Sequence, residues 1–377
     1  MSYNMFCSTE IAFGTKKELL SLLASLNQNI VLILSKSAAV RWELDEFIRT
    51  LKCEAEAQGL GFTWLSSKVS NPTPHDVVAA LEQIGSQAVE AIVAVGGGSA
   101  IDLAKAISAF IDMRNRATVE SIIDSIDNGS YVSNCFTDII AVPTTAGTGS
   151  EVTQWATIWD KDQGVKYSID APGLQPRLAL IVPELTVSLP PAISLSTGLD
   201  AVCQAIEAYW SKHTNPLVQE IAFRAIELIV ANLRAAVDQP ENLKARELLC
   251  VASVLAGLAF AKTRTTACHS ISYPLSMFFD VPHGFAVALT IDAVSKVNEG
   301  RYPNDKRLMA AFDGYGGIGR WIDEVCSGLV TMRLSSFGVS QCDLGRIVKH
   351  AFTTGRMDNN PVNLTRHDVH RILESVL

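Results

Sequence analysis

Apolar positions along the chain change their rhythm partway through. In the first half, short β-branched-rich runs bounded by turn residues fall at 29–34, 61–65, 91–95, 138–142 and 178–182. Helical stretches such as 39–57 and 74–84 lie between several of them. Near-continuous apolar runs alternating with helices predict buried strands of a parallel sheet covered by helices. From about Leu185 the strand pattern stops. Segments such as 216–236 and 243–261 repeat apolar residues every three or four positions, the spacing of packed helices. The change falls at Val182-Pro183-Glu184-Leu185, just before Pro190-Pro191, which predicts an α/β domain over 1–184 and an all-α domain over 185–377. A cleft between two such domains would be a natural ligand site.

Composition narrows the class. Hydrophobic residues make up 48% of the 377 and charged residues 19%, which supports a buried core and excludes disorder. The net charge of −8 comes without a basic cluster, so no nucleic-acid partner is expected. The longest apolar stretch, 251–261, is about half a membrane span, so no membrane partner is expected either. The opening MSYNMFCSTE carries no basic-then-apolar leader, which predicts a cytoplasmic protein. The eight cysteines form no CxxC pair and are expected to be reduced thiols.

Two glycine-rich loops follow predicted strands. Gly96-Gly97-Gly98-Ser99 opens a helix that continues through Asp102, a further expected cofactor-binding residue, and Lys105. Glycines let the backbone approach a ligand closely, and the helix start points free N–H groups at an anion. The segment 143–150 (PTTAGTGS) adds the hydroxyls of Thr144, Thr145, Thr148 and Ser150. Two anion cradles at strand ends suit a dinucleotide. Gly314–Gly319 also matches GxGxxG, but it follows a helical pattern and is expected to be an interhelical loop.

In the second half, Asp200, Gln204 and Glu207 fall on one face of a predicted helix. His269 and His283 follow later, the second within Pro282-His283-Gly284. Two imidazoles and a carboxylate suit Fe(II) or Zn(II), although spacing alone also fits ordinary hydrogen-bonded helix residues.

Gly96–Ala106 (GGGSAIDLAKA), 143–151 (PTTAGTGSE), 183–186 (PELT), 198–201 (GLDA) and 282–284 (PHG) occur in an order that resembles the iron-containing (group III) alcohol dehydrogenase family. The resemblance runs over essentially the whole chain. It implies a Rossmann-like domain followed by a helical domain, the dehydroquinate synthase-like fold of iron-dependent alcohol dehydrogenases. It also implies hydride transfer between NADPH or NADH and an aldehyde or alcohol, at a divalent metal held by Asp200, Gln204, His269 and His283. Fe(II) is the expected ion, with Zn(II) as the alternative. The family commonly has histidine where this chain has Gln204, and another where it has Tyr273. Tyr273 and His269 are the expected catalytic residues, with the Tyr273 phenol as proton donor.

Within the family, 262–276 (KTRTTACHSISYPLS) is most similar to phosphonoacetaldehyde reductases. Arg264, flanked by Thr263, Thr265 and Thr266, offers a guanidinium among hydroxyls, which suits a phosphonate. Lys166 is a further expected substrate-side cation. Lys36, after the strand at 29–34, stands where NAD-preferring members usually have Asp, which predicts NADPH. The expected partner is a small aldehyde or alcohol, and a homodimer is compatible with this. Rival readings are a maleylacetate-reductase-like or other group III enzyme, and a nucleotide-binding protein with a decayed metal site.

Overall fold

A computed structural model describes residues 7–160 and 163–377. The chain divides into two compact units. Cys7–Thr145 with Ser150–Thr186 form a sheet unit, and Ala146–Gly149 with Val187–Leu377 belong to a helical unit.

The sheet unit holds β1 (Glu10–Phe13), β2 (Ile30–Ile33), β3 (Phe62–Leu65), β4 (Ala91–Gly96), β5 (Asp138–Pro143), β6 (Trp155–Asp160), β7 (Val165–Asp170) and β8 (Leu178–Ile181). Six of these pair in parallel in the order β1-β8-β5-β4-β2-β3, while β6 and β7 form a separate antiparallel hairpin. Around them run α1 (Lys16–Ser25), α2 (Lys36–Arg41), α3 (Asp45–Ala57), α4 (Pro74–Ile84), α5 (Gly98–Phe110) and α6 (Val119–Asp127). The strands are apolar on both faces because both faces are covered. Val31 and Ile33 of β2 pack with Ile92 and Ala94 against α4 to α6, whereas Ile30 and Leu32 pack with Val93 against α1 and α3. The α/β architecture expected from the alternating pattern is present. Local signals also hold: Thr73 closes a capping box with Asp76, and Pro74 starts α4.

Two details differ from the periodicity. The stretch 39–57 is not one helix, because α2 ends at Arg41 and Glu43 takes a left-handed φ of 59° before α3 begins. Strand β1 and the β6–β7 hairpin carry too few buried residues in sequence to show as apolar runs.

The helical unit contains α7 (Pro191–Trp210), α8 (Pro216–Asp238), α9 (Leu243–Thr263), α10 (Ala267–Phe279), α11 (His283–Asn298), α12 (Asp305–Ala310), α13 (Ile318–Cys326), α14 (Leu344–His350) and α15 (Arg366–Ser375). Helices α7, α8 and α9 pack on one another, and α11 packs on both α7 and α10. Helix α7 is buried around its whole circumference from Gly198 to Trp210, so its polar residues in that span are interior groups. Gly314–Gly319 runs from a short 3-10 turn (Asp313–Tyr315) into the first turn of α13, with no strand leading into it. No helix among the described residues is long and apolar enough to cross a membrane.

Candidate functional site

In the sheet unit, β4 and β5 pair so that Gly96 faces Pro143, which sets their C-terminal loops side by side. Thr144 N–H donates to the Gly96 carbonyl at 3.0 Å. A Cβ on Gly97 would lie 3.3 Å from Thr145 Oγ1, so glycine permits this approach. Gly98 opens α5, whose N-terminus has no side-chain cap. Its first N–H groups therefore remain available to an anion. Ser99 accepts from Asn71 N–H at 3.1 Å, and half-buried Thr148 lies in the short segment assigned to the helical unit.

Asp102 and Ser150 turn toward each other. Ser150 donates to Asp102 Oδ1 at 2.7 Å, and Thr157 N–H reaches the other oxygen at 3.1 Å. Buried Lys105 donates to the Ser150 and Trp155 carbonyls at 2.7 and 2.9 Å, and to Ser150 Oγ at 3.0 Å. These side chains brace the second loop against α5. Burial lowers Lys105 to about 8, despite Asp102 and Glu151 nearby. Burial likewise raises Glu151 to about 7. Lys36 is exposed at the start of α2, just beyond β2, and its N–H donates to the Ser66 carbonyl at 2.9 Å. Lys166 lies on β7, with its ammonium 5.7 Å from the Trp159 ring centroid.

The helical unit gathers the second set of groups. Asp200 comes from α7, His269 from the first turn of α10, and His283 from the start of α11. Asp200 Oδ1 lies 3.3 Å from His269 Nε2 and 3.8 Å from His283 Nε2. One donor atom from each lies within 4.8 Å of the others. Ligand bonds of about 2.1 Å at near-tetrahedral angles separate donors by roughly 3.4 Å, so these spacings fit one cation. Gln204 follows Asp200 by one turn, and its buried Oε1 has no hydrogen-bond partner. A bare buried acceptor there is a candidate fourth donor beside two nitrogens and one oxygen.

His283 reaches this group because of its neighbour. A Cβ on Gly284 would sit 1.7 Å from the Ser196 carbonyl oxygen, so only glycine lets α11 approach α7 this closely. The His283 side chain is 35% exposed, against 5% for Asp200 and His269, which gives the cluster one open side. Tyr273, one turn beyond His269, lies parallel to the His283 ring with centroids 6.2 Å apart.

Glu207, on the same face of α7, had no assigned role, yet it is the fully buried partner of His269. Its Oε2 bonds His269 Nδ1, and its Oε1 accepts from Thr266 Oγ1 and Cys268 N–H, each at 2.7 Å. Burial opposes charge on both groups, but their mutual attraction and hydrogen bonds hold Glu207 low and raise His269. The i+7 spacing from Asp200 was the available sequence signal.

Two of the three threonines near Arg264 depart from expectation. Thr263 is buried and donates to the Arg264 carbonyl at 2.8 Å, while Thr266 donates to Glu207. Neither hydroxyl proton is available to join the guanidinium in holding an anion. Arg264 itself is exposed and ends α9 at φ 59° and ψ 177°, a backbone region costly for a residue with a Cβ. One of its terminal nitrogens lies 3.4 Å from where a Cβ on Gly355 would be.

Comparison with known proteins yields two family matches. Residues 8–183 match "Iron-containing alcohol dehydrogenase", and residues 194–377 match "Fe-containing alcohol dehydrogenase family, C-terminal". A choline dehydrogenase of Bacillus subtilis is 34% identical over 287 residues, covering 72% of this chain and 70% of the relative. A 1,3-propanediol dehydrogenase of Citrobacter freundii is 33% identical over 312 residues, 77% of each chain. The solved sulfoacetaldehyde reductase of Bifidobacterium kashiwanohense, in complex with NAD+, superposes with a TM-score of 0.84 at 30% identity, covering 100% of this chain and 99% of that one.

Proposed function

The chain belongs to the iron-containing alcohol dehydrogenase family, and on that footing we propose that it reduces phosphonoacetaldehyde to 2-hydroxyethylphosphonate with NADPH. Alcohol–aldehyde oxidoreduction with a nicotinamide cofactor and a metal is the chemistry of the family. The observation that carries the proposal is the convergence of Asp200, His269 and His283, with the unpartnered Gln204 Oε1 one turn along α7. These four residues would hold the metal, Fe(II) or Zn(II). When bound, it supplies Lewis acidity to the carbonyl oxygen of the substrate.

The remaining roles fall to the chain's own groups. Gly96, Gly97, Gly98 and Ser99, with Thr144 and Thr145, would cradle the cofactor's pyrophosphate, while Asp102 and Ser150 keep the second loop in place. Lys36 would meet the 2′-phosphate of NADPH. Tyr273, parallel to the His283 ring, would hold the proton passed to the developing alkoxide. Arg264 would receive the anionic head of the substrate; Thr263 would help by fixing the Arg264 carbonyl. A relative named for sulfoacetaldehyde, an aldehyde with an anionic head, supports this substrate class.

The test is a panel of phosphonoacetaldehyde, sulfoacetaldehyde and propanal, each with NADPH and NADH. The expected order of kcat/KM is phosphonate, sulfonate, then uncharged aldehyde, with NADPH preferred. Highest efficiency on propanal would reject the anionic substrate, and higher efficiency with NADH would reject the cofactor preference.

A further inference from the structure

We infer that Glu207 is the positioning residue of the metal centre, holding the Nδ1 proton of His269 so that Nε2 is presented to the cation. This rests on reading Asp200, His269 and His283 as the ligands. Helix α7 would then supply both a direct ligand, Asp200, and the group that orients another, two turns further along.

The hydrogen-bond directions around Glu207 leave little freedom. Trp210 Nε1–H donates to Thr266 Oγ1 at 2.9 Å, so the Thr266 proton points to Glu207 Oε1 at 2.7 Å. Cys268 N–H donates to the same oxygen at 2.7 Å. That oxygen is therefore held by fixed donors, and Oε2 is left to His269 Nδ1. With a cation in place of a proton between Nε2 and Asp200, the single ring proton would sit on Nδ1 against Glu207, which leaves the Nε2 lone pair for coordination. Nε2 is the atom that faces Asp200, at 3.3 Å. A carboxylate behind a ligating imidazole also makes that imidazole a stronger donor.

The same contacts set the start of α10. Its N-cap residue, Thr266, makes no side-chain capping bond of its own, and the Cys268 N–H in the first turn is satisfied by Glu207 instead. His269 is thus held twice, through its ring and through the helix that carries it.

Replacing Glu207 with glutamine sets these needs against one another. The amide oxygen is required by Thr266 and Cys268, which turns the NH2 toward Nδ1. A donor at that place needs a lone pair on Nδ1, which drives the proton onto Nε2 and blocks coordination.

The test measures Zn(II) affinity of the folded full-length protein by chelator competition, for wild type, Glu207→Gln, Glu207→Asp and Asp200→Asn. Glu207→Gln is expected to bind about 10- to 100-fold more weakly, and its visible absorption bands at saturating Co(II) are expected to shift. Wild-type affinity and an unchanged Co(II) spectrum in Glu207→Gln would overturn the role of Glu207 and leave the ligand set standing. Failure of the wild type to bind one equivalent, or wild-type binding by Asp200→Asn, would overturn the ligand set and the inference with it. Glu207→Asp keeps the buried anion and shortens its reach, so it answers if the glutamine variant does not fold. At least threefold weaker binding is expected, and wild-type affinity would overturn the proposal.

Discussion

At the scale of single residues, donor chemistry matters most at Gln204. An amide oxygen is a weaker donor than imidazole for Fe(II) or Zn(II). Gln204→His should therefore tighten Zn(II) binding by about tenfold, measured by chelator competition, and unchanged or weaker binding would mean that Gln204 lies off the ion. Arg264 makes a separate claim. Hydrogen bonds to charged groups contribute about 1.5–3 kcal/mol, so Arg264→Ala should lower kcat/KM on phosphonoacetaldehyde by roughly 10- to 100-fold. The loss on propanal should stay below about threefold on the same argument; equal losses would make the residue structural. The motif around His269 made the candidate ligands legible. It could not show that Thr263 and Thr266 turn inward, because their partners are settled by the packing around α10.

At the scale of elements, the join between α5 and the second glycine loop carries a pH signature. Glu151 follows Ser150, is 2% exposed, and is raised by burial from 4.5 to about 7. A raised carboxyl binds more protons when folded, so its contribution is fully present below pH 4.5 and is lost as pH rises through 7. The shift corresponds to roughly 3 kcal/mol. Glu151→Gln should therefore gain stability relative to wild type between pH 5 and 8, read from urea unfolding midpoints; parallel profiles across that range would refute the argument. Strands β2, β4, β5 and β8 were legible because two-sided burial produces continuous apolar runs. The edge strand β1 and the β6–β7 hairpin have one-sided or partial burial, and a short alternating run does not stand out from loop sequence. The break between α2 and α3 rests on a left-handed turn at a glutamate, which no residue preference announces.

At the scale of the whole molecule, a cation that binds only the folded helical unit should stabilise it by mass action. Zn(II) at 100 times its Kd should add about 2.7 kcal/mol. Amide protection should rise first in α7, α10 and α11, the helices that carry the candidate ligands, and a rise confined to the sheet unit would place the ion elsewhere. The sequence by itself determined the two-part plan, the parallel sheet, the helical second half and the donor types, because periodicity and residue chemistry are local properties. The tertiary structure alone decided that Glu207 stands behind His269, that Gly284 admits α11 to α7, and that Asp102 and Ser150 bond each other. Those outcomes depend on contacts between residues 48 to 88 positions apart. Packing sets such contacts, and no local pattern records them.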